Sequence, residues 1–333
     1  MKNNFLHQFS RRTVQNLVLL IILILFLIIF TIINPRFFSQ RNITNIIRQS
    51  VAVLIMGCAM TFVINSGAID LSVGGVMAFA AISFGKFITF GINIWVAVIM
   101  TLFLGMFVGV VNTFLIQKFK LPPIMATMSV WVVTSGLSYA FISAIPITDK
   151  RLTPIFQLNT LTFFNNTIPL ALFIILGVIA FFLFLEKKTI IGKYALAIGG
   201  NENAAIFSGI NVTRIRLIIF MLSGVMAAFA GMYQVARIGS ADPNIGIGME
   251  FQVIAGCILG GVSIKGGDGT IAGMLIGTFL LIFLTNGMNM IGFNPYYQQV
   301  ATGIVILVSI LINYLVSTQR KRVTFKKVVK PCP

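Results

Sequence analysis

The chain's 333 residues would suffice for two ordinary soluble domains, but 58% are hydrophobic and 9% charged, against about 45–50% and about 25% in soluble proteins. That composition is an integral membrane protein's. One histidine, His7, and three well-separated cysteines, Cys58, Cys257 and Cys332, leave no ligand set for zinc, haem or iron–sulfur chemistry and no disulfide framework; a metalloenzyme is excluded.

The first apolar run, Leu17 to Ile33, follows Arg11 and Arg12 and has the outline of a signal peptide. It is longer than the usual apolar core of about 7–15 residues and no small-residue cleavage site precedes Asn34-Pro35-Arg36, so it is expected to remain as a membrane anchor. Uncharged stretches of 21, 15, 31, 28, 34, 20, 14 and 51 residues follow, bounded by Arg48, Asp70, Lys86, Lys118 and on to Arg320. A bilayer core takes about 20 apolar residues per helix. The last stretch therefore holds two spans, divided by turn residues at Gly292, Asn294 and Pro295.

The expectation is an all-α integral membrane protein, a single polytopic domain over 1–333 with about ten transmembrane segments. It has a cytoplasmic N-terminus at 1–16, membrane segments across 17–316, a cytoplasmic loop at 186–216 and a basic cytoplasmic tail at 317–333. If all ten segments cross, 17 cations lie inside and 7 outside. If the two short segments near 71–85 and 251–264 are re-entrant, the split is 14 to 10, and the positive-inside rule favours ten crossings. The net charge of +17 thus encodes topology; the cations flank helix ends and form no interleaved basic and aromatic surface for nucleic acid. The tail from Arg320 to Lys330 suits contact with anionic membrane lipid.

The two short segments hold matching places in the order of spans, which predicts two inverted repeats of four to five helices, at about 49–145 and 217–316. Short, glycine-interrupted segments in such positions point to a central transport path. The first opens with Gly67-Ala68-Ile69-Asp70-Leu71-Ser72-Val73-Gly74-Gly75, and the second closes with Gly260-Gly261-Val262-Ser263-Ile264-Lys265-Gly266-Gly267-Asp268-Gly269. Asp70 and Ser72 have two readings: caps for the helix that follows, or polar groups on the solute path at membrane depth.

No G-x-x-x-x-G-K-[ST] phosphate loop occurs, so the chain is not itself a P-loop ATPase; no Gly-x-Ser-x-Gly elbow accompanies the lone histidine, which excludes a serine hydrolase. The seven acids fall at predicted span ends or in loops, which argues against ion coupling inside the membrane and for a passive path or an engine on another subunit. Arg237, Asp242, Asn244 and Glu250 are assigned to an outward loop, as contacts for an external protein or as ordinary solvated residues. In the 186–216 loop, Asn201 is an N-cap, Glu202 occupies the favourable first turn, Ala204, Ala205, Ile206 and Phe207 make a short helix, and Gly209 after Ser208 stops it. Such a helix either lies on lipid or docks with a partner.

Over nearly its whole length the sequence resembles the permeases of bacterial ATP-binding cassette importers for ribose, other monosaccharides and related small molecules. The resemblance runs through Asn34-Pro35-Arg36-Phe37, Gly67 to Gly75, Pro122-Pro123-Ile124-Met125-Ala126-Thr127, the 197–212 loop, Gly260 to Gly269 and Asn294-Pro295-Tyr296-Tyr297-Gln298-Gln299. Ala68 departs from a commoner glycine, and Thr302 from a commoner basic residue. The resemblance implies that the 197–212 loop carries a coupling helix for a cytoplasmic ATPase. It also implies a second permease copy or paralogue, an extracytoplasmic solute-binding protein, ATP and magnesium held by the partner and no cofactor on this chain, in the bacterial inner membrane. Nucleoside importers of similar build share these features. Outside this class, a stand-alone facilitator or ion-coupled carrier explains the spans but not the loop helix, and a membrane scaffold explains less.

Overall fold

The computed structural model describes residues 11–143, 145–163, 168–294, 296–305, 307 and 311. Helix α1, Arg11–Ile33, ends where Asn34 turns into a 3-10 turn at Pro35–Phe38. Ser39 caps α2, Gln40–Asn65, whose C-terminal half is buried on all sides. Then follow α3, Val73–Thr89, α4, Ile94–Lys118, and α5, Pro123–Ala140. Beyond them a short helix α6, Thr153–Thr160, and a two-residue hairpin pairing β1, Thr162–Phe163, with β2, Ile168–Pro169, lead into α7, Leu170–Lys188.

The second half begins with two helices at one end of the bundle, α8, Ile190–Gly200, and α9, Glu202–Phe207, and continues with α10, Val212–Ile238, α11, Met249–Leu259, and α12, Ile271–Met290. Residues 296–305 are again helical. Among the described residues five helices, α2, α4, α7, α10 and α12, are long and apolar enough to cross a membrane. The first apolar run is helical as expected, although the helix starts at Arg11. The cytoplasmic tail expected at 317–333 lies outside the described residues.

Helix α2 is the core post. Val51, Leu54, Cys58, Met60 and Val63 have essentially no exposure, whereas α4 presents Trp95, Phe103, Phe107 and Phe114 outward. Helices in a bilayer gain little from hydrophobicity between themselves and pack closely through small residues. On α4, a Cβ added to Gly105 or Gly109 would overlap the backbone of Gly224 or Phe220 on α10. The same device joins α11 to α12, where Gly256 and Gly260 meet Gly273, Gly277 and Thr278.

The two short segments are helices of 17 and 11 residues, α3 and α11, or about 26 and 17 Å long. The second does not span a bilayer core of about 30 Å by itself. The chain before it carries a 3-10 turn at Pro243–Gly246 in otherwise irregular backbone. Ala241, bridged to Ile147, lies beside Gly85 of α3, and Gly246 lies beside Gly74 at the start of α3. Non-helical backbone at membrane depth is tolerated where protein surrounds it, and Ala241, Pro243 and Gly246 are buried.

Candidate functional site

The turn between α2 and α3 is the most polar place in the bundle interior. Gly67 leaves α2 in the left-handed region at φ +77°, a conformation that costs glycine nothing, and residues 68–72 then rise irregularly to α3. Asp70 is 1% exposed. Its Oδ1 accepts from the Ser72 N–H at 3.0 Å and the Ser72 hydroxyl at 2.6 Å, and its Oδ2 accepts from the Ser223 hydroxyl on α10 at 2.7 Å. Asn112 on α4 donates to Ser72 Oγ at 2.8 Å, and Leu71 N–H donates to Thr127 Oγ1 on α5 at 3.1 Å. Three helices thus hold the turn, and Ser72 and Ser223 meet the carboxylate with hydroxyl and amide donors. The simple capping expectation gives way here: Ser72 stands at the N-cap of α3 without a side-chain capping bond, and Asp70 belongs to an interhelical network. A buried acid survives away from water only when such donors surround it.

Seven residues below Ser223, two turns down the same face of α10, Arg216 holds the other end of the turn. Its Nη2 donates to Ser66 O at 3.3 Å, while Nη1 and Nη2 grip both oxygens of Glu202 at 3.0 and 2.7 Å. This bidentate fork is the strong form of the ion pair. The Arg216 side chain is 10% exposed and that of Glu202 45%, so the pair closes a buried cation at a wet edge.

Glu202 opens α9. Asn201 Oδ1 accepts from the Ala204 N–H at 3.0 Å, the Ser208 hydroxyl donates to Ala204 O at 2.8 Å, and Gly209 ends the helix at φ +82°. Ala205 is buried and Ala204 exposed, whereas Ile206 is half out and Phe207 stands 91% exposed. The helix therefore shows an apolar tip outward and turns its acid inward. Around it Lys187, Lys188, Lys193 and Arg214 are exposed.

Both glycine signatures reach this same end. Gly267 N–H donates to Asn65 O at 3.0 Å. A Cβ on Gly199 would overlap that carbonyl oxygen, and one on Gly266 would stand 2.8 Å from the Gly67 backbone and 2.9 Å from Gly199. The end of α2, the end of α8 and the 260–270 loop therefore meet backbone to backbone, one residue short of the cap of α9. Gly67, Gly266 and Gly267 come together in this way. Gly260 instead packs on α12, Gly261 starts the turn away from α11 at φ +84°, and Gly74 lies elsewhere, against Gly246 and Glu250.

Glu250 is a correction. The sequence places it in an outward loop, but it is 2% exposed in the first turn of α11, and its Oε2 has no hydrogen-bond partner among the described residues. Arg216, Ser223 and Asn112 were not singled out by the sequence. Their signal was there: each is a polar residue inside or at the edge of an apolar span.

Among the described residues no group of three or more metal-ligating side chains occurs. A bundle of apolar helices with a buried polar turn, tied to an outward-pointing helix at one end, defines a polytopic membrane permease. Residues 42–310 match the family model of the permease component of the branched-chain amino acid transport system, and the chain belongs to that permease family. It is 37% identical over 283 residues to the ribose import permease protein RbsC of Bacillus subtilis, covering 85% of this chain and 88% of that one. It is 34% identical over 322 residues to the ABC transporter permease protein YphD of Escherichia coli K12, covering 96% and 95%. Among solved structures it is similar to a metal-chelate type ABC transporter in an inward-facing conformation, with a TM-score of 0.50 at 17% identity, covering 92% of this chain and 99% of that one. That likeness speaks for the fold. The protein is thus a multi-pass inner-membrane transport subunit of an ABC transporter.

Proposed function

We propose that this chain forms the translocation path for a monosaccharide in an ATP-driven importer, and that α9 is the helix through which a cytoplasmic ATPase moves it. The sugar reading is supported by the likeness to a ribose import permease across most of both chains. The coupling reading rests on one observation: the exposed Ile206–Phe207 tip and the inward Glu202–Arg216 fork belong to the same short helix. A helix lying on lipid needs the first feature and has no use for the second.

In this reading ten segments cross, in two inverted halves. Helix α2 with the turn at Gly67 and α3 corresponds to α10 with the turn at Gly239 and α11, and both turns leave a long helix through a left-handed glycine. The end bearing α9 faces the cytoplasm, in keeping with the exposed cations around it, and both termini lie on that side. A second permease copy or paralogue completes the path, an extracytoplasmic binding protein delivers solute, and ATP with magnesium stays on the partner ATPase. Closure of the partner pushes α9; the fork passes the displacement to α10 and to the turn at 66–72; access flips. This chain does no covalent chemistry.

The test is purification of the tagged protein from its native membrane, followed by reconstitution in liposomes with the ATPase and binding protein recovered beside it. ATP-dependent uptake of a pentose or hexose is the expected result. Uptake by the permease alone, without ATP, would make it a facilitator and refute the proposal.

A further inference from the structure

Between α3, α5 and the 3-10 turn before α11 lies a cavity of about 200 Å³. That is about seven times one water molecule's share of liquid volume, the scale of a single sugar ring with its hydroxyls. Its floor is peptide backbone: Gly74 and Gly246 pack so closely that a Cβ on either would overlap the other's carbonyl oxygen. Its wall is one face of α5, where Trp131, Ser135 and Tyr139 recur every four residues.

The polar groups there are unevenly used. The Tyr139 hydroxyl donates to Asn244 Oδ1 at 2.8 Å. The Trp131 indole N–H and the Ser135 hydroxyl have no hydrogen-bond partner among the described residues. Glu250 Oε2, buried and without a hydrogen-bond partner among the described residues, packs against Gly74 and does not line the cavity. Gly74, in the floor, follows Ser72 of the Asp70 network by two residues along the chain.

We propose that this cavity is a monosaccharide subsite on the solute path, with Trp131 and Tyr139 as aromatic contacts for the C–H faces of the ring and Ser135 as a hydroxyl partner. An acyl chain has no use for two idle donors. A sugar does: it offers apolar C–H faces to aromatic rings and hydroxyls that donate and accept around its rim. The glycine floor, which carries no side chain, lets a flat ring approach the backbone. The inference rests on the sugar-importer reading above and names where on that path the solute pauses.

The chain has two tryptophans, and Trp95 is 74% exposed on the outer face of α4. Trp95→Phe therefore leaves Trp131 as the one indole of this chain without touching the site. In the complete reconstituted transporter, titration of that variant with D-ribose, L-arabinose, D-xylose and D-galactose is expected to give, for at least one sugar, saturable quenching beyond that of the Trp95→Phe/Trp131→Phe transporter, which carries the same partners, and none by glycerol. Uptake of the same sugar should fall at least tenfold in Trp131→Leu and return to within about threefold of wild type in Trp131→Phe. Ser135→Ala should change the ratio of uptake between two sugars while stimulation of the ATPase by the binding protein persists, which a mere loss of packing would not produce. If wild type takes up sugar with ATP but removing Trp131 leaves the quenching unchanged and Trp131→Leu and Ser135→Ala transport normally, the subsite is overturned and the importer reading stands. If wild type takes up none of the four sugars with ATP, both fall.

Discussion

Replacement of Glu202 by Gln tests the transmission step most directly. It removes one charge and little volume, and it leaves the guanidinium of the buried Arg216 with Ser66 O as its remaining partner among the described residues. Breaking a fully buried pair costs about 3–5 kcal/mol, and a surface pair is worth about 0–1 kcal/mol. With the glutamate side chain 45% exposed, the value here falls between these limits, at about 1–3 kcal/mol. At about 1.4 kcal/mol per tenfold change, the seated position of α9 against α10 should lose about 5- to 150-fold in population relative to displaced ones.

The assay is ATP hydrolysed per sugar transported by the reconstituted transporter, read beside the thermal midpoint of the permease in detergent. Glu202→Gln should lower the midpoint and raise ATP spent per sugar severalfold. The double variant Glu202→Gln/Arg216→Met discriminates further. Removing both charges relieves the stranded cation, so stability should recover most of the loss, whereas coupling should stay poor because nothing links α9 to α10. Wild-type stoichiometry in the single variant, or coupling that recovers together with stability in the double, would refute the mechanical role of the fork.

Other positions give sharper contrasts. Phe207→Ser removes the most exposed large apolar side chain of the end that carries α9; the thermal midpoint should not fall, while affinity for the ATPase should drop at least tenfold, as for an aromatic anchor, in a pull-down titration. Gly199→Ala drives a methyl into Asn65 O, whereas Gly200→Ala meets nothing within 4 Å. The first should cost about 1–3 kcal/mol and the second nothing measurable, compared by thermal unfolding. Asp70→Asn keeps an acceptor for Ser72 and a partner for Ser223 and should fold; Asp70→Leu strands both hydroxyls and an N–H, at about 1–3 kcal/mol each, and should lose most of its membrane yield on a blot.

Helix positions were readable because the bilayer sets span length and because caps have a local chemistry. Asn201, Glu202 and Gly209 mark α9 within a nine-residue window, and the structure has the helix between them. Helix faces were not readable. An apolar helix shows no polar side, so the central place of α2 and the outward face of α4 leave no pattern in a list of leucines and phenylalanines. A partial signal did exist for packing. Gly105 and Gly109, Gly256 and Gly260, and Gly273 and Gly277 all keep a spacing of four, and each pair marks a close helix contact.

The acids show why position along the chain misleads about depth. Asp70 and Glu250 bound uncharged stretches, and a reading by hydropathy puts both at water level. Both are buried instead, because the chain beside each is non-helical and lies inside the bundle. A boundary drawn at a charge assumes that the charge reaches water; an acid flanked by glycines and serines has another way to be satisfied. Ser72, Ser223 and Asn112 supply it for Asp70, whereas Glu250 keeps one oxygen without a partner. The satisfied acid holds the turn together, and the unsatisfied one packs beside Gly74, inside the contact between the start of α3 and the chain before α11.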